Sequence, residues 1–135
     1  MNSQILVSRH SIQLFRVMLS GIFLVASLHH LFNIEKTVKR IDQANFKGIA
    51  YYFGNLELLV ILSGVVMLIA GFGLLIGFKT RWAAISLLVV LIPITLTIQL
   101  GQISSLGPLF KNIAIAGGLL FFILNNFKNQ ETTKN

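Results

Sequence analysis

Charged residues cut the chain into four long uncharged runs, residues 17–34, 58–78, 82–110 and 112–127, with histidine counted as neutral. A helix crossing a bilayer needs about 20 mostly apolar residues. The pattern therefore predicts four spans, about 12–33, 56–78, 82–100 and 109–127. The third run is too long for one span, but its end, "GQISSLGP" (Gly101 to Pro108), has loop composition. Pro108 fits the first turn of the fourth span, where its missing N–H costs nothing. Pro93 falls inside the third span and should kink it. The turn "GFKTR" (Gly77 to Arg81) is so short that spans two and three must form an antiparallel hairpin.

The segment from Asn33 to Asn55 is different. Ile34, Val38 and Ile41 are spaced four and three apart, with Lys36, Lys39 and Arg40 elsewhere on the wheel. That spacing predicts a short amphipathic helix lying in the membrane interface between the first two spans. Tyr51, Tyr52 and Phe53 suit the headgroup level just before span two. The expected fold is all-α: one domain over residues 1–135, an integral membrane, antiparallel four-helix bundle. Gly73 and Gly77, and Ala114 and Gly118, are each four apart, a spacing that allows close helix approach in lipid.

Composition agrees. The chain is 55% hydrophobic and 11% charged, against about 25% charged in soluble domains, so a polar surface could not cover a soluble core. The net charge is +7, but the basic residues sit between apolar runs and match lipid headgroups better than nucleic acid. No cysteine is present, which removes thiolate chemistry, Cys-ligated metals and c-type haem attachment. A cleaved signal peptide ending at "VAS" (Val25 to Ser27) is the rival reading of the first span. The apolar run continues past it through Leu31 and Phe32, which argues against cleavage. The basic turn at Lys79 and Arg81 and the basic termini favour both termini inside.

With that topology, His30, Glu57, Lys111 and Asn112 come to one membrane depth from three spans. Arg16, Ser20, Phe23, Ser27 and His30 form one largely polar stripe that should face the bundle interior, since lipid penalises Arg16. His29 lies about 100° away on the wheel and should face the headgroups. Glu57, in a first helical turn, suits the helix dipole, whereas Lys111 opposes it. Lys111 therefore wants either a negative partner, for which Glu57 is the nearest candidate in depth, or the headgroup region. Bis-histidine haem would need interior histidines on two helices, and His29 and His30 share one. No metal site is expected, and the Gly71-x-Gly73 spacing does not make a dinucleotide fingerprint.

"RVMLSGIFLVASLHHL", "GNLELLVILSGVVMLIAGFGLLIGFKTRWAA" and "FKNIAIAGGLLFF" together resemble the DoxX family of small four-helix bacterial membrane proteins, over residues 16–122. Arg16, His30-Leu31, Glu57, Gly77 to Arg81, Lys111-Asn112 and Gly117-Gly118 match its pattern in order and spacing. The family often has a histidine near the end of helix three; here that region is "TLTIQLGQ", with Gln99. The resemblance implies a multi-pass protein of the bacterial inner membrane. Some relatives are subunits of thiosulfate:quinone oxidoreductase, others partners in redox or thiol-stress complexes, and distant ones look like receptor assembly chaperones.

Two functions are thus expected from the chain. The first is a membrane subunit or partner of a quinone-linked redox complex, with a polar pocket near the outer membrane face. His30 and Glu57 would exchange protons with the quinone, Lys111 and Asn112 would orient its head group, and Arg16 would complete the set by anchoring helix packing nearer the other side. The quinone would be the ligand, with no covalent cofactor, and electrons would come from a protein partner, because no nicotinamide, flavin or iron–sulfur motif is present. The alternative is a non-catalytic assembly factor, chaperone or anchor, with a small-solute carrier further behind. A homo-oligomer fits any of these.

Overall fold

The computed structural model describes residues 6–100 and 103–125. Six α-helices follow one another: α1 (Arg9–Phe32), α2 (Ile34–Asp42), α3 (Lys47–Tyr52), α4 (Leu56–Ile76), α5 (Thr80–Ile98) and α6 (Leu106–Leu124). No strand occurs among the described residues. The helices α1, α4, α5 and α6 are each long and apolar enough to cross a membrane. They are the four predicted spans, displaced by a few residues at their ends. The last expected residues of span four, 126 and 127, lie outside the described residues.

The boundaries have local causes. Asn55 caps α4, its side-chain oxygen accepting the Glu57 N–H at 2.9 Å, a bond that typically contributes about 1 kcal/mol. Gly77 ends α4 with φ of 80°, a left-handed conformation that suits glycine. A Cβ there would also come within 2.7 Å of the Arg16 guanidinium, so the turn depends on glycine twice over. The loop expected up to Pro108 ends sooner: a 3₁₀ turn over Ile103–Ser105 leads into α6 at Leu106. Pro108 then sits third in α6, still within the turn whose N–H groups have no helical partner, so the helix can begin ahead of it.

The bundle core joins all four spans. Leu19 and Phe23 of α1 meet Met67 and Leu74 of α4, Leu87 and Leu91 of α5, and Leu119 and Phe122 of α6. The most extensive helix pairing is α1 on α4. There Gly64 and Gly71 would each place a Cβ 3.0 Å from a leucine of α1, Leu31 and Leu24 respectively. They are seven apart and share one face of α4. Ala114, expected at a crossing, is exposed, whereas a Cβ at Gly73 would meet the Phe78 carbonyl at 3.4 Å and Ala83 of α5 at 3.6 Å, so Gly73 serves where α4 turns back against α5. Gly118 serves against Phe15 and Leu19 of α1. Phe15 also stacks on Phe121 and Phe122, with ring centroids 5.7 and 5.3 Å apart.

The polar stripe of α1 is turned inward as expected. Ser20 and Ser27 are fully buried and satisfy themselves, donating to the carbonyls of Val17 at 2.9 Å and Leu24 at 2.7 Å. The outward faces carry large apolar residues such as Met18, Val25, Ile69, Phe72 and Ile113, all exposed. Four apolar helices with apolar outer faces describe a multi-pass membrane protein in contact with lipid.

The segment between α1 and α4 holds two helices rather than one. The expected amphipathic helix is α2, with Thr37 and Ile41 buried. It packs on α4, while α3, which the pattern of apolar residues did not indicate, packs on α5. Tyr51 ties the two together, donating to Asp42 Oδ1 at 2.7 Å. The segment therefore covers one end of the bundle, the end at which α1 finishes.

Candidate functional site

A cavity of about 250 Å³ lies beneath this cover. Its walls come from the end of α1 (His30), from α2 (Thr37, Ile41), and from facing stretches of α4 and α5. The α4 wall includes Val60, Ser63 and Val66; the α5 wall includes Val89, Pro93 and Thr97. The α5 residues are spaced four apart, so one helical face supplies them. Among the lining residues, Leu62 and Val66 of α4 and Val89 of α5 are also exposed on the outer surface. The cavity thus opens sideways between α4 and α5. At 1.5 Å per residue these positions lie roughly 9–15 Å inside the helix ends, well within a hydrocarbon core about 30 Å thick. An apolar molecule dissolved in the bilayer can reach the cavity without crossing water.

His30 is the titratable side chain in this wall. It is half-buried, whereas His29 is exposed, as their positions on the wheel require. His30 Nδ1 lies 3.1 Å from Ser63 Oγ. The Ser63 hydroxyl donates its one hydrogen to the Val60 carbonyl, 2.9 Å away. Ser63 Oγ then acts as acceptor toward His30, so Nδ1 carries the ring hydrogen and Nε2 keeps a free lone pair. That nitrogen can accept a hydrogen bond, or a proton, from a ligand.

The other residues expected at the site are placed elsewhere. Glu57 is exposed in the first turn of α4 and does not line the cavity. It precedes Ser63 by six residues, roughly 9 Å along the axis and 120° around it. Lys111 is exposed on α6. No ion pair joins Glu57 to Lys111 among the described residues, so of the two alternatives for Lys111 the Glu57 contact is the one not formed. The reason is angular: Leu56 and Asn112 occupy the buried faces, and each charged neighbour is turned about 100° away. Asn112 is buried but already engaged, its Nδ2 donating to Thr95 Oγ1 at 2.9 Å. Arg16 lies at the opposite end of the bundle, against Gly77 at the C-terminus of α4. Its cation there suits the negative end of that helix.

Ser63, Thr97 and Thr37 were not singled out from the sequence, and Pro93 was read there only as a kink in the third span. Ser63 had a readable signal, since it lies three after Val60 and four before Met67, on the inward face of α4. No group of three or more histidine, cysteine or acidic residues capable of holding a metal occurs among the described residues.

No curated protein and no solved structure matches the chain. A family model described as DoxX matches residues 11–100, from the first turn of α1 to the end of α5, the part of the chain that builds the cavity. The protein is therefore a member of the DoxX family.

Proposed function

We propose that this protein is the membrane subunit, or membrane partner, of a quinone-linked redox complex of the bacterial cytoplasmic membrane, with both termini inside. Its role is to hold a quinone-class ring in the cavity beside His30. The observation that carries this reading is a cavity opening at hydrocarbon depth whose wall holds one imidazole with a free nitrogen. The residues fit such a ring. A space of about 250 Å³ is at or below the lower end of ordinary ligand pockets, about 300–1,000 Å³, which suits one substituted ring and not a haem or a dinucleotide. The valines of α4 and α5 would sandwich its faces, and His30 would meet an oxygen at its edge.

When bound, such a ring supplies two-electron, two-proton redox chemistry, with the electrons exchanged with a protein partner. His30 Nε2 takes or returns a proton at the ring oxygen, and Nδ1–H, held by Ser63, keeps the imidazole oriented. Glu57 and Lys111 lie outside the cavity, so the proton exchange assigned at first to His30 and Glu57 together rests here on His30. The non-catalytic alternative, an assembly factor or anchor, draws support from Asn112 and the serines of α1, whose polar groups are spent within the bundle.

The test is photolabelling of the protein in lipid nanodiscs with an azido-quinone. Label is expected on the lining of α4 and α5 around Val66 and Val89, competed by unlabelled quinone. His30→Phe, which keeps a ring of similar size, should leave this labelling in place, since a quinone has no hydrogen to offer Nε2, and should slow redox turnover of the ring with the native partner by about 10²–10⁴-fold, the loss of the proton-exchanging group. Labelling that falls on other faces of the bundle, or is not competed, would overturn the reading.

A further inference from the structure

The cavity does not stop at its mouth. Val66 of α4 lines it and also lines a second hollow, a groove of about 280 Å³ that runs from there to the α4–α5 turn. On α4 the two hollows share one stripe. Leu62 and Val66 belong to the cavity, and Val66, Ile69 and Gly73 to the groove, at steps of four, three and four. The facing stripe on α5 repeats those steps, with Trp82 and Ser86 in the groove, then Val89 and Pro93 in the cavity. Steps of three and four keep each stripe on a single helical face. Cavity and groove are therefore successive stretches of one furrow along one side of the α4–α5 hairpin.

The groove has the shape of a chain and not of a ring. Its floor is made of small residues: Ala70 and Ala83 are buried, and a Cβ added at Gly73 would already touch Ala83 at 3.6 Å. Its rims are large, with Ile69, Phe78 and Trp82 all exposed. From Val66 to Gly73 it runs about 10 Å along the helix axis, roughly eight carbon–carbon bonds in zigzag. Its polar groups are already placed. The Ser86 hydroxyl donates to the Trp82 carbonyl of its own helix at 3.0 Å. Lys79 stands in the turn, at the level of the headgroups, 5.6 Å from the centre of the Phe78 ring. Between the turn and the cavity the wall asks for apolar matter alone.

We infer that the groove is the seat of a long apolar tail carried by the ring in the cavity, the tail leaving past Val66 and lying between α4 and α5 as far as Trp82. This rests on the proposed quinone-class reading and extends it, since the ligand becomes a tailed ring with a separate site for each part. The continuity of groove and cavity at Val66 is what selects this occupant. The tail site also orients the ring. With the tail leaving at Val66, the opposite edge of the ring faces Ser63, one turn nearer the covered end, and the His30 imidazole bound to it. In lipid a tail gains no hydrophobic energy by exchanging one apolar surrounding for another, so the groove holds it through close packing. The groove therefore shows itself in where the tail lies more than in affinity.

The experiment uses a decyl-trimethylbenzoquinone with a photoreactive diazirine at the end of its tail, and the same molecule with an azide on the ring instead, each illuminated with the protein in nanodiscs. The tail probe should label Ile69, Gly73 and Trp82, and the ring probe the lining around Val66 and Val89, both competed by the unmodified decyl-quinone. Ser86→Phe, which fills the groove, should cut the tail label several-fold and leave the ring label in place, and the retained ring label reports a folded protein with its cavity intact. Ile113→Phe, on the exposed face of α6, should change neither label. A tail label spread over all faces of the unaltered protein, or one that survives Ser86→Phe, would overturn the inference and leave the broader reading standing. So would labelling of the groove by a phospholipid with a diazirine in its acyl chain that the decyl-quinone does not displace. Absence of the ring label from the cavity of the unaltered protein would instead overturn the broader reading, and the inference with it.

Discussion

Asn112 Nδ2 donates to Thr95 Oγ1 across 2.9 Å, and the same hydroxyl donates onward to the Leu91 carbonyl at 2.7 Å. This chain fastens α6 to α5 inside an apolar environment. Its loss should be felt asymmetrically. Thr95→Val keeps the volume but leaves the buried Asn112 amide without its acceptor. We expect a loss of about 1–2 kcal/mol, the upper part of the range for polar contacts between membrane helices. Adding Asn112→Leu should recover part of that loss, because no polar group is then stranded. Thermal unfolding in mild detergent measures both. A Thr95→Val protein as stable as the original would show that this contact does not hold the two helices.

At the covered end of the bundle, Tyr51 links α3 to α2 through its hydrogen bond to Asp42, with Lys47 Nζ 3.9 Å from the same carboxylate oxygen. Donation to the Asp42 carboxylate holds the Tyr51 hydroxyl above its ordinary pKa, since ionisation would lose the bond and set two negative charges together. A raised tyrosine favours the folded form while protonated in both states. The contribution is therefore fully present below the ordinary tyrosine value, about 10, and disappears as pH rises through the folded value. Hydrogen exchange in α2 and α3 should accelerate with alkaline pH beyond the intrinsic base-catalysed rate. Tyr51→Phe should show the faster exchange already at neutral pH and no further pH-dependent loosening. The same extra acceleration in Tyr51→Phe would assign the effect to another group.

Much of this architecture is legible from the residues because lipid leaves few alternatives. An uncharged run of spanning length in a bilayer must be a helix, and the turn at Gly77 allows only a hairpin. The inward stripe of α1 was readable for the same reason, since Arg16 and two serines could not face lipid. The candidate site was harder to read, because depth and direction are separate coordinates. Glu57 and Lys111 were grouped with His30 by depth alone. Direction decides the outcome: the wheel argument that separates His29 from His30 also separates Lys111 from Asn112 and Glu57 from Leu56. Thr97 escaped notice because one hydroxyl barely alters hydropathy, and Pro93 was read only as a kink; their place on the cavity wall appears only when α4 is set opposite them. The helix α3 is a single short stretch whose buried residue, Ala50, carries almost no pattern.

Glu57 now has a definite expected behaviour. It sits exposed in the first turn of α4, its backbone N–H bound by Asn55, outside the cavity and without an ion pair to Lys111 among the described residues. What remains is the favourable placing of a carboxylate at a helix N-terminus, typically about 0.3–1 kcal/mol and less when screened by water or headgroups. Glu57→Gln should therefore lower stability slightly, and binding of a quinone-class ring should be unchanged. Lys111→Gln should have a small effect of its own, and the double substitution should equal the sum of the two within about 0.5 kcal/mol, as for groups that do not touch. The paired measurement is thermal stability in detergent and ring binding in nanodiscs. Coupling well above that limit would mean that the two charges meet in the bilayer. A large loss of binding in Glu57→Gln, with stability kept, would move proton exchange back to this carboxylate and away from His30.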